Sequence, residues 1–415
     1  MHLNRFYLKD LASISLSGVD KKISPSEEIV RLCNYVDVYK NYAVTSLDYD
    51  HFMVASASKR EIDGFSLKKG DIAITKDSET RDDIGMPCYI ADDFNHKVLL
   101  GYHCALIRAN SDLIDSKYLT AYLNSEVARK YFSNNATGSG QRASLSKEVL
   151  ENLPVFAPSI QEQRNIGSLL SNIDRQIKLN CQINDNLEAI AKQLYDYWFV
   201  QFDFPDEKGR PYKSSGGKMV WNDDLKRKIP EIFECCTLDE FIKLKDSQRV
   251  PLSNKERLNR KGIYPYYGAT GIIDYVNNYI FDGDYLLLAE DGSTSDINGN
   301  PIVQYIWGKS WVNNHAHIVL PKTDGLILYT YQLLKNIPAK MIETGSIQKK
   351  ISQVNLLTYK IVLPMHNLIK EYCQIVSPIW EQRKNNIEEM IALTKQRDKL
   401  LPLLMNGQAT VNYHL

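Results

Sequence analysis

The sequence predicts an α/β chain built twice: two similar α/β domains separated by two long helices that pair as an antiparallel coiled coil, in a pseudo-twofold internal repeat. Three observations lead there. Residues 137–146 read TGSGQRASLS, and 207 positions later (344 − 137 = 207) the chain spells TGSIQKKIS. GDIAIT at 70–75 has its counterpart in GDYLLLAEDG at 283–292, each a Gly-Asp turn, a short apolar strand and a polar loop, 213 apart (283 − 70 = 213). Each half also closes on a long stretch with heptad spacing. A repeat of this period has to be settled before any single element, because it decides the architecture.

Ahead of each glycine loop stands a helix, 117–132 (KYLTAYLNSEVARKYF) and 326–336 (LILYTYQLLKN), with Tyr118 and Tyr329 in matching places. Behind each loop, ENLPVFAPSIQEQR meets LTYKIVLPMHNLIK, and Pro158 matches Pro364 (364 − 158 = 206). The long helices follow. In the first, Ile166, Leu170, Ile173, Ile177, Asn180, Asn184, Leu187, Ala191, Leu194 and Trp198 take a and d positions. In the second they are Ile369, Tyr372, Val376, Ile379, Arg383, Asn386, Met390, Leu393, Arg397, Leu400 and Leu404. Polar seam residues cost stability but penalise other registers, so facing Asn residues would set how the helices slide. About 35 residues at 1.5 Å each make a rod of roughly 50 Å. Pro378 is expected to kink or interrupt the second helix near Ser377, since proline lacks the backbone donor and crowds the preceding turn. Gly407 is a helix stop, and DFPDEKGRPYKSSGG (203–217), rich in Gly, Pro and Ser, is the main linker. The expected divisions are therefore 1–158, 159–202, 203–366 with the linker, and 367–415.

At 415 residues, 44% hydrophobic and 24% charged, the chain has the composition of soluble globular domains. No apolar run approaches the roughly 18 to 20 residues of a membrane span, and 1–20 lacks a secretory layout, so a cytoplasmic protein is expected. Seven cysteines form no CxxC pair, which suggests neither a zinc knuckle nor a disulfide framework. Fifty basic and fifty acidic residues cancel. A nucleic-acid role would then need a local basic face, fed by loops such as Gln141-Arg142 and Lys349-Lys350.

Familiar catalytic signatures are missing. There is no GxxxxGK[ST] phosphate loop, no HExxH and no GxSxG. GDYLLLAEDGS and PDEKGR come nearest to a carboxylate-bearing catalytic strand and a nuclease pattern, but neither has the second acid and the lysine at strand spacing that metal-assisted hydrolysis needs. His315 and His317 flank Ala316 and read as a hydrogen-bonded structural pair, with no metal site expected.

Two polar glycine loops on a helical ruler suit a DNA edge. Glycine lets backbone approach closely, Gln can bond bidentately to adenine, and Arg or Lys can reach guanine or phosphate. At this point the residues meet a known family. The stretch from TGSGQRASLS through the first long helix to QFDF (137–204) closely resembles specificity subunits of type I restriction-modification systems. PYYGATGIIDYVNNYIFDGDYLLLAEDGS (265–293) and TKDSETRDDIG (75–85) are similar to segments of their target-recognition domains. The resemblance implies that each target-recognition domain reads one half of a bipartite, asymmetric site in double-stranded DNA; the recurrence of the two loops itself suggests that they lie against DNA about one helical turn apart. It also implies that the helices set the spacer and bind two methyltransferase subunits, which would carry S-adenosylmethionine chemistry on flipped adenines. Motor-nuclease (restriction/translocase) subunits would supply ATP- and Mg-dependent translocation and cleavage, leaving no cofactor and no catalysis in this chain. The implied DNA-binding residues are Ser78, Thr80, Arg81, Ser139, Gln141 and Arg142 in the first half. In the second they are Tyr267, Thr270, Asp291, Ser293, Thr294, Ser346, Gln348 and Lys349. Tyr195, Trp198, Phe199 and Phe202 read as packing at the end of the coiled coil. The competing readings are a stand-alone DNA-binding regulator or decoy specificity protein, and a nuclease with an unrecognised site.

Overall fold

The structure, a computed structural model, describes residues 2–138, 142–345 and 349–411. The chain divides into two compact units, Met1–Gln182 with Asn385–Leu415, and Ile183–Lys384. Each unit thus contains a stretch of both long helices. Among the described residues no helix is long and apolar enough to cross a membrane.

The first unit is built on a five-stranded sheet in the order Ala12–Leu16, Cys104–Ala109, Ile72–Thr75, Pro87–Ile90, Ala43–Val44, antiparallel but for the last pair. The second has four strands, Ile242–Leu244, Ala316–Pro321, Tyr285–Ala289 and Val303–Ile306, all antiparallel. The first four strands of one order correspond to the four of the other. The smaller sheets repeat too. A central strand, Glu28–Cys33 or Lys261–Tyr267, has an antiparallel neighbour on one side and a parallel one on the other. In each unit an early strand pairs antiparallel with the strand that leads into a long helix, Asn4–Tyr7 with Pro154–Ala157 and Glu234–Thr237 with Lys360–Leu363.

The apolar strand cores explain this layering. Ile72 and Ile74, like Leu286 and Leu288, are buried on one sheet face under a helix, Ser116–Leu123 or Ile327–Lys335. Tyr118 and Tyr329, matched by the repeat, are both buried in those helices. The expected helix over 117–132 is in fact two, Ser116–Leu123 and Glu126–Asn135. The break falls where Ser125 caps the second helix by accepting from Ala128 N–H, a competition with the backbone that serine wins at helix starts.

The first long helix runs Ile160–Tyr195 and begins at a capping box, in which Ser159 and Glu162 satisfy each other's backbone N–H groups. The second runs His366–Met405 without interruption, contrary to the expectation at Pro378. Pro378 and Gln374, whose carbonyl loses its helical partner, are both exposed, so water can supply the missing donor. Buried Val376 and Trp380 meanwhile keep the helix seated. Gly407, at φ +72°, ends it: its N–H reaches Leu404 O and that of Gln408 reaches Leu403 O, the bond pair of a Schellman motif.

The helices pair antiparallel in each unit. In the first, Arg397 Nη1 donates to Asp174 Oδ1 (2.7 Å) and Asn180 Nδ2 to Glu389 Oε2 (3.0 Å). In the second, Arg383 Nη2 donates to Glu188 Oε2 (2.7 Å) and Tyr372 Oη to Ala191 O (3.0 Å). Every assigned seam residue is buried or half-buried. The polar seam positions Asn180, Arg383 and Arg397 meet acidic partners there. The aromatic group is core, as expected: Phe199 lies 5.0 Å from Tyr329 and 5.4 Å from Tyr372, ring centre to ring centre.

The segment 203–217 is a folded part of the second unit rather than an open linker. Asp203 accepts from Ser214 N–H and Oγ–H, Phe204 stacks on Tyr212 and Phe233, and the hairpin Met219–Asn222/Arg227–Pro230 follows. Glycines there make turns around a small aromatic stack, which composition alone presents as flexibility.

Candidate nucleic-acid interface

One backbone framework recurs beside each glycine loop. In the first unit Lys76 N–H donates to His103 O (2.9 Å) while Lys76 O accepts from Leu145 N–H (2.7 Å). In the second, Glu290 N–H donates to His315 O (2.8 Å) and Glu290 O accepts from Ile351 N–H (2.8 Å). The end of one sheet strand is therefore stitched both to the turn before its neighbour and to the chain returning from the loop. The next residue is an aspartate in both halves. Asp77 Oδ2 lies 2.8 Å from His103 Nδ1, and Asp291 Oδ1 lies 2.7 Å from His315 Nδ1. A carboxylate accepts, so in each histidine the ring proton sits on Nδ1.

In the first half Thr137 and Ser144 exchange backbone bonds across the loop base. Gly138 has φ +117°, and a Cβ there would come 2.1 Å from Arg142 O, so only glycine fits. Arg81 Nη2 donates to Gly138 O (3.3 Å), joining the 78–83 loop to the glycine loop; Arg142 is exposed, its Nη2 3.4 Å from His103 Nδ1. Thr80 is exposed and bonds Asp83. Ser78 is buried and its Oγ accepts from Thr80 N–H, so it shapes the loop from inside. Burial works to raise the Asp77 carboxyl, but bonds from His103 and Ser144 and the Lys76 ammonium outweigh it and hold it below the ordinary range.

In the second half Gly345 turns at φ +89° and Thr344 pairs with Lys350. Lys349 Nζ lies 3.0 Å from Glu343 Oε2, and Thr294, 1% exposed, donates from Oγ1 to Glu343 Oε1 (2.6 Å). Ser293 and Thr270 are exposed. Thr270 rides a turn held by Gln304 Nε2, which donates to Gly268 O and Ala269 O. Tyr267 is half-buried, and burial pushes its phenol up to about 12. Its carbonyl accepts from Asn313 N–H, and Asn313 Oδ1 accepts from His315 N–H, which links the turn to the Asp291–His315 pair. Ser139, Gln141, Ser346 and Gln348 lie outside the described residues.

Asp77, His103, Ser144 and Glu343 were absent from the residues expected from sequence. The signal for the first two was present: Asp77 and Asp291 differ by 214 (291 − 77 = 214), and His103 and His315 by 212 (315 − 103 = 212), close to the 213 of the Gly-Asp strands.

His317 is a different case. Its Nδ1 is 2.5 Å from Asp246 Oδ2 and its Nε2 2.8 Å from Ile351 O, so both nitrogens face acceptors and the ring is held as imidazolium. Glu290 completes a group of three potential metal ligands, yet Arg249 and Lys350 already neutralise the carboxylates. This is an ion network that ties the returning loop strand to the sheet. Burial alone would lower the His317 pKa, but its two acceptors raise it; burial alone would raise Asp246, but His317, Ile318 N–H and Gln353 lower it. The raised His317 stabilises the fold fully below about 6.5 and loses that contribution as pH rises through its folded pKa. Depressed Asp246 contributes above about 3.9 and is lost as pH falls through its folded value. A plot of Tm against pH should therefore plateau between those limits, and His317→Gln should lower the plateau and flatten its alkaline shoulder.

The two α/β units thus repeat one framework, each with an Asp–His pair beside the base of a glycine loop and each holding a stretch of both long helices. Residues 5–189 and 230–391 match the family model described as the type I restriction modification DNA specificity domain, and the chain belongs to that family. It is 24% identical over 318 residues to the type I restriction enzyme MjaIX specificity subunit of Methanocaldococcus jannaschii, covering 72% of this chain and 70% of that one. It is 30% identical over 139 residues to the HindI specificity subunit of Haemophilus influenzae, covering 33% and 29%. The fold is shared with the crystal structure of a type I restriction-modification S subunit from M. genitalium, at a TM-score of 0.58, 17% identity and coverage of 97% and 96%.

Proposed function

We propose that this chain is the DNA-reading subunit of a cytoplasmic type I restriction-modification complex, each α/β unit reading one half of a bipartite, asymmetric duplex site. The helix pair sets the spacing between half-sites and docks two methyltransferase subunits, with restriction/translocase subunits joining them. S-adenosylmethionine, ATP and Mg belong to those partners, and this chain carries no catalysis. The observation that carries the reading is the shared framework with partly unshared side chains: the same stitching at Lys76 and Glu290, but Thr80 and Arg81 exposed in one unit and Thr270 and Ser293 in the other. One scaffold with two sets of tips suits two different half-sites. Ser78 and Thr294, being buried, support those tips, and Asp291 orients His315.

Two outcomes are expected. The isolated chain transfers no methyl group from labelled S-adenosylmethionine, and restores motif-specific adenine methylation when reconstituted with its host's type I methyltransferase chains; transfer by the pure chain alone sinks the reading. In the reconstituted complex Arg142→Ala should cost about 1–3 kcal/mol of affinity and relax one half-site, and Lys349→Ala should do the same to the other. Sequencing of the methylated sites measures both.

A further inference from the structure

We infer that the two Asp–His pairs, Asp77–His103 and Asp291–His315, are matched phosphate anchors, one gripping the DNA backbone beside each half-site. The inference rests on the DNA-reading function proposed above. Its basis is the comparison of the two halves. Residues that read the different bases of an asymmetric site should differ between the units, whereas a contact to the backbone, which is the same everywhere, can be retained in both. Outside the shared Thr-Gly-Ser-x-Gln-base stretch the exposed candidate side chains differ, Thr80 and Arg81 in one unit against Thr270 and Ser293 in the other. The Asp–His pair does not: it occupies one topological position, the aspartate just after a central strand and the histidine just before its neighbour, with the same backbone bond between the two sites.

The chemistry suits an anion. With Nδ1–H committed to the carboxylate, the other ring nitrogen, Nε2, is left for a ligand; the side chains are 35% and 51% exposed. An Nε2–H on a ring held in this orientation is a directed donor to a phosphate oxygen. The groups around His103 are Asp77, Lys76, Arg142 and the edge-packed Tyr102 ring. Around His315 they are Asp291, with Glu290, Arg249 and Lys350 on the adjoining backbone. Lys76 and Arg142 lie beside the first pair, while at the second Arg249 and Lys350 are paired with carboxylates, so what the two sites share is an oriented ring with one nitrogen uncommitted.

The test uses the full-length chain with its methyltransferase partners, first selecting from a randomised duplex pool and then binding a duplex with the selected motif and one without it. His103→Ala and His315→Ala should each weaken binding roughly ten-fold on both duplexes. Each should also reduce the salt slope by about 0.9 and leave the selected motif unchanged. His103→Gln, which keeps a neutral polar group against Asp77, should lose the same slope while its Tm stays near wild type; this separates the anchor from a packing role. A change of motif confined to one half-site would make the histidine a base reader and overturn the inference. So would unchanged affinity and slope in a folded variant. A wild-type complex that selects no motif would instead overturn the DNA-reading function itself.

Discussion

Glu188→Ala is expected to destabilise the second unit by about 3–5 kcal/mol, enough to lower its Tm by several degrees and expose it to proteolysis. Glu188 Oε1 accepts from Tyr331 Oη (2.8 Å) and Lys335 Nζ (2.5 Å), and Oε2 from Arg383 Nη2 (2.7 Å), so one carboxylate ties the first long helix to the second and to the helix Ile327–Lys335. Its side chain is 22% exposed. Removing it leaves Arg383 in the helix seam and the Tyr331 hydroxyl in the core without their acceptor, the situation in which a buried charge becomes costly. Glu188→Gln keeps an acceptor but no charge and should fall between alanine and wild type. The pH dependence has a definite sign. Burial would raise the Glu188 carboxyl, but Lys335 and Arg383 outweigh it and hold it below the ordinary range. Its contribution is then present above about 4.3 and lost as pH falls through the folded value. Thermal melts of the three proteins from pH 3 to 7 measure all of this, and equal melting curves would show that the network contributes nothing.

The same network shows what sequence could and could not reveal. Arg383 and Arg397 are legible as polar residues at seam positions, because heptad spacing puts them there without any knowledge of the partner helix. Their acceptors were not legible. Glu188 and Asp174 sit one residue beyond the seam positions Leu187 and Ile173, where a charged residue on a helix ordinarily faces water. Only the approach of the second helix turns them inward. Pro378 failed as an interruption for a related reason: its local rule is sound, but exposure of Gln374 and the seating of Val376 and Trp380 override it. The candidate site divides likewise. The glycine loops announced themselves by repetition, and Gly138 does need its left-handed conformation. Asp77 and His103 are 26 residues apart and meet only through the pairing of two sheet strands. No local pattern marks such a pair. The offset between the halves does.

The largest functional effect should come from changing the length of the helices. Inserting four residues into the first helix alone, between Asn180 and Glu188, adds about 6 Å and turns the following seam residues away from their partners. That variant should lose the Glu188–Arg383 contact and fold poorly. Matched insertions of one heptad in both helices, between the Asn180–Glu389 and Glu188–Arg383 pairs, preserve the seam and add about 10 Å. If the helices space the half-sites, the methylation motif should keep both half-sequences and gain a spacer of roughly three base pairs, at about 3.4 Å per step. Length is only part of the demand, because DNA also turns. Three added base pairs rotate one half-site by nearly a third of a helical turn relative to the other, taking about 10 base pairs per turn. A heptad rotates a seam hardly at all. The one-heptad variant should therefore find the longer spacer yet bind it weakly. A matched insertion of three heptads adds about 31 Å, close to nine base pairs and almost a full turn, and should bind its longer site better than the one-heptad variant binds its own. Sequencing of methylated genomic DNA from cells carrying each folded variant measures the spacer directly. An unchanged spacer in the three-heptad variant would mean that the distance between half-sites is set by the partner subunits rather than by this chain.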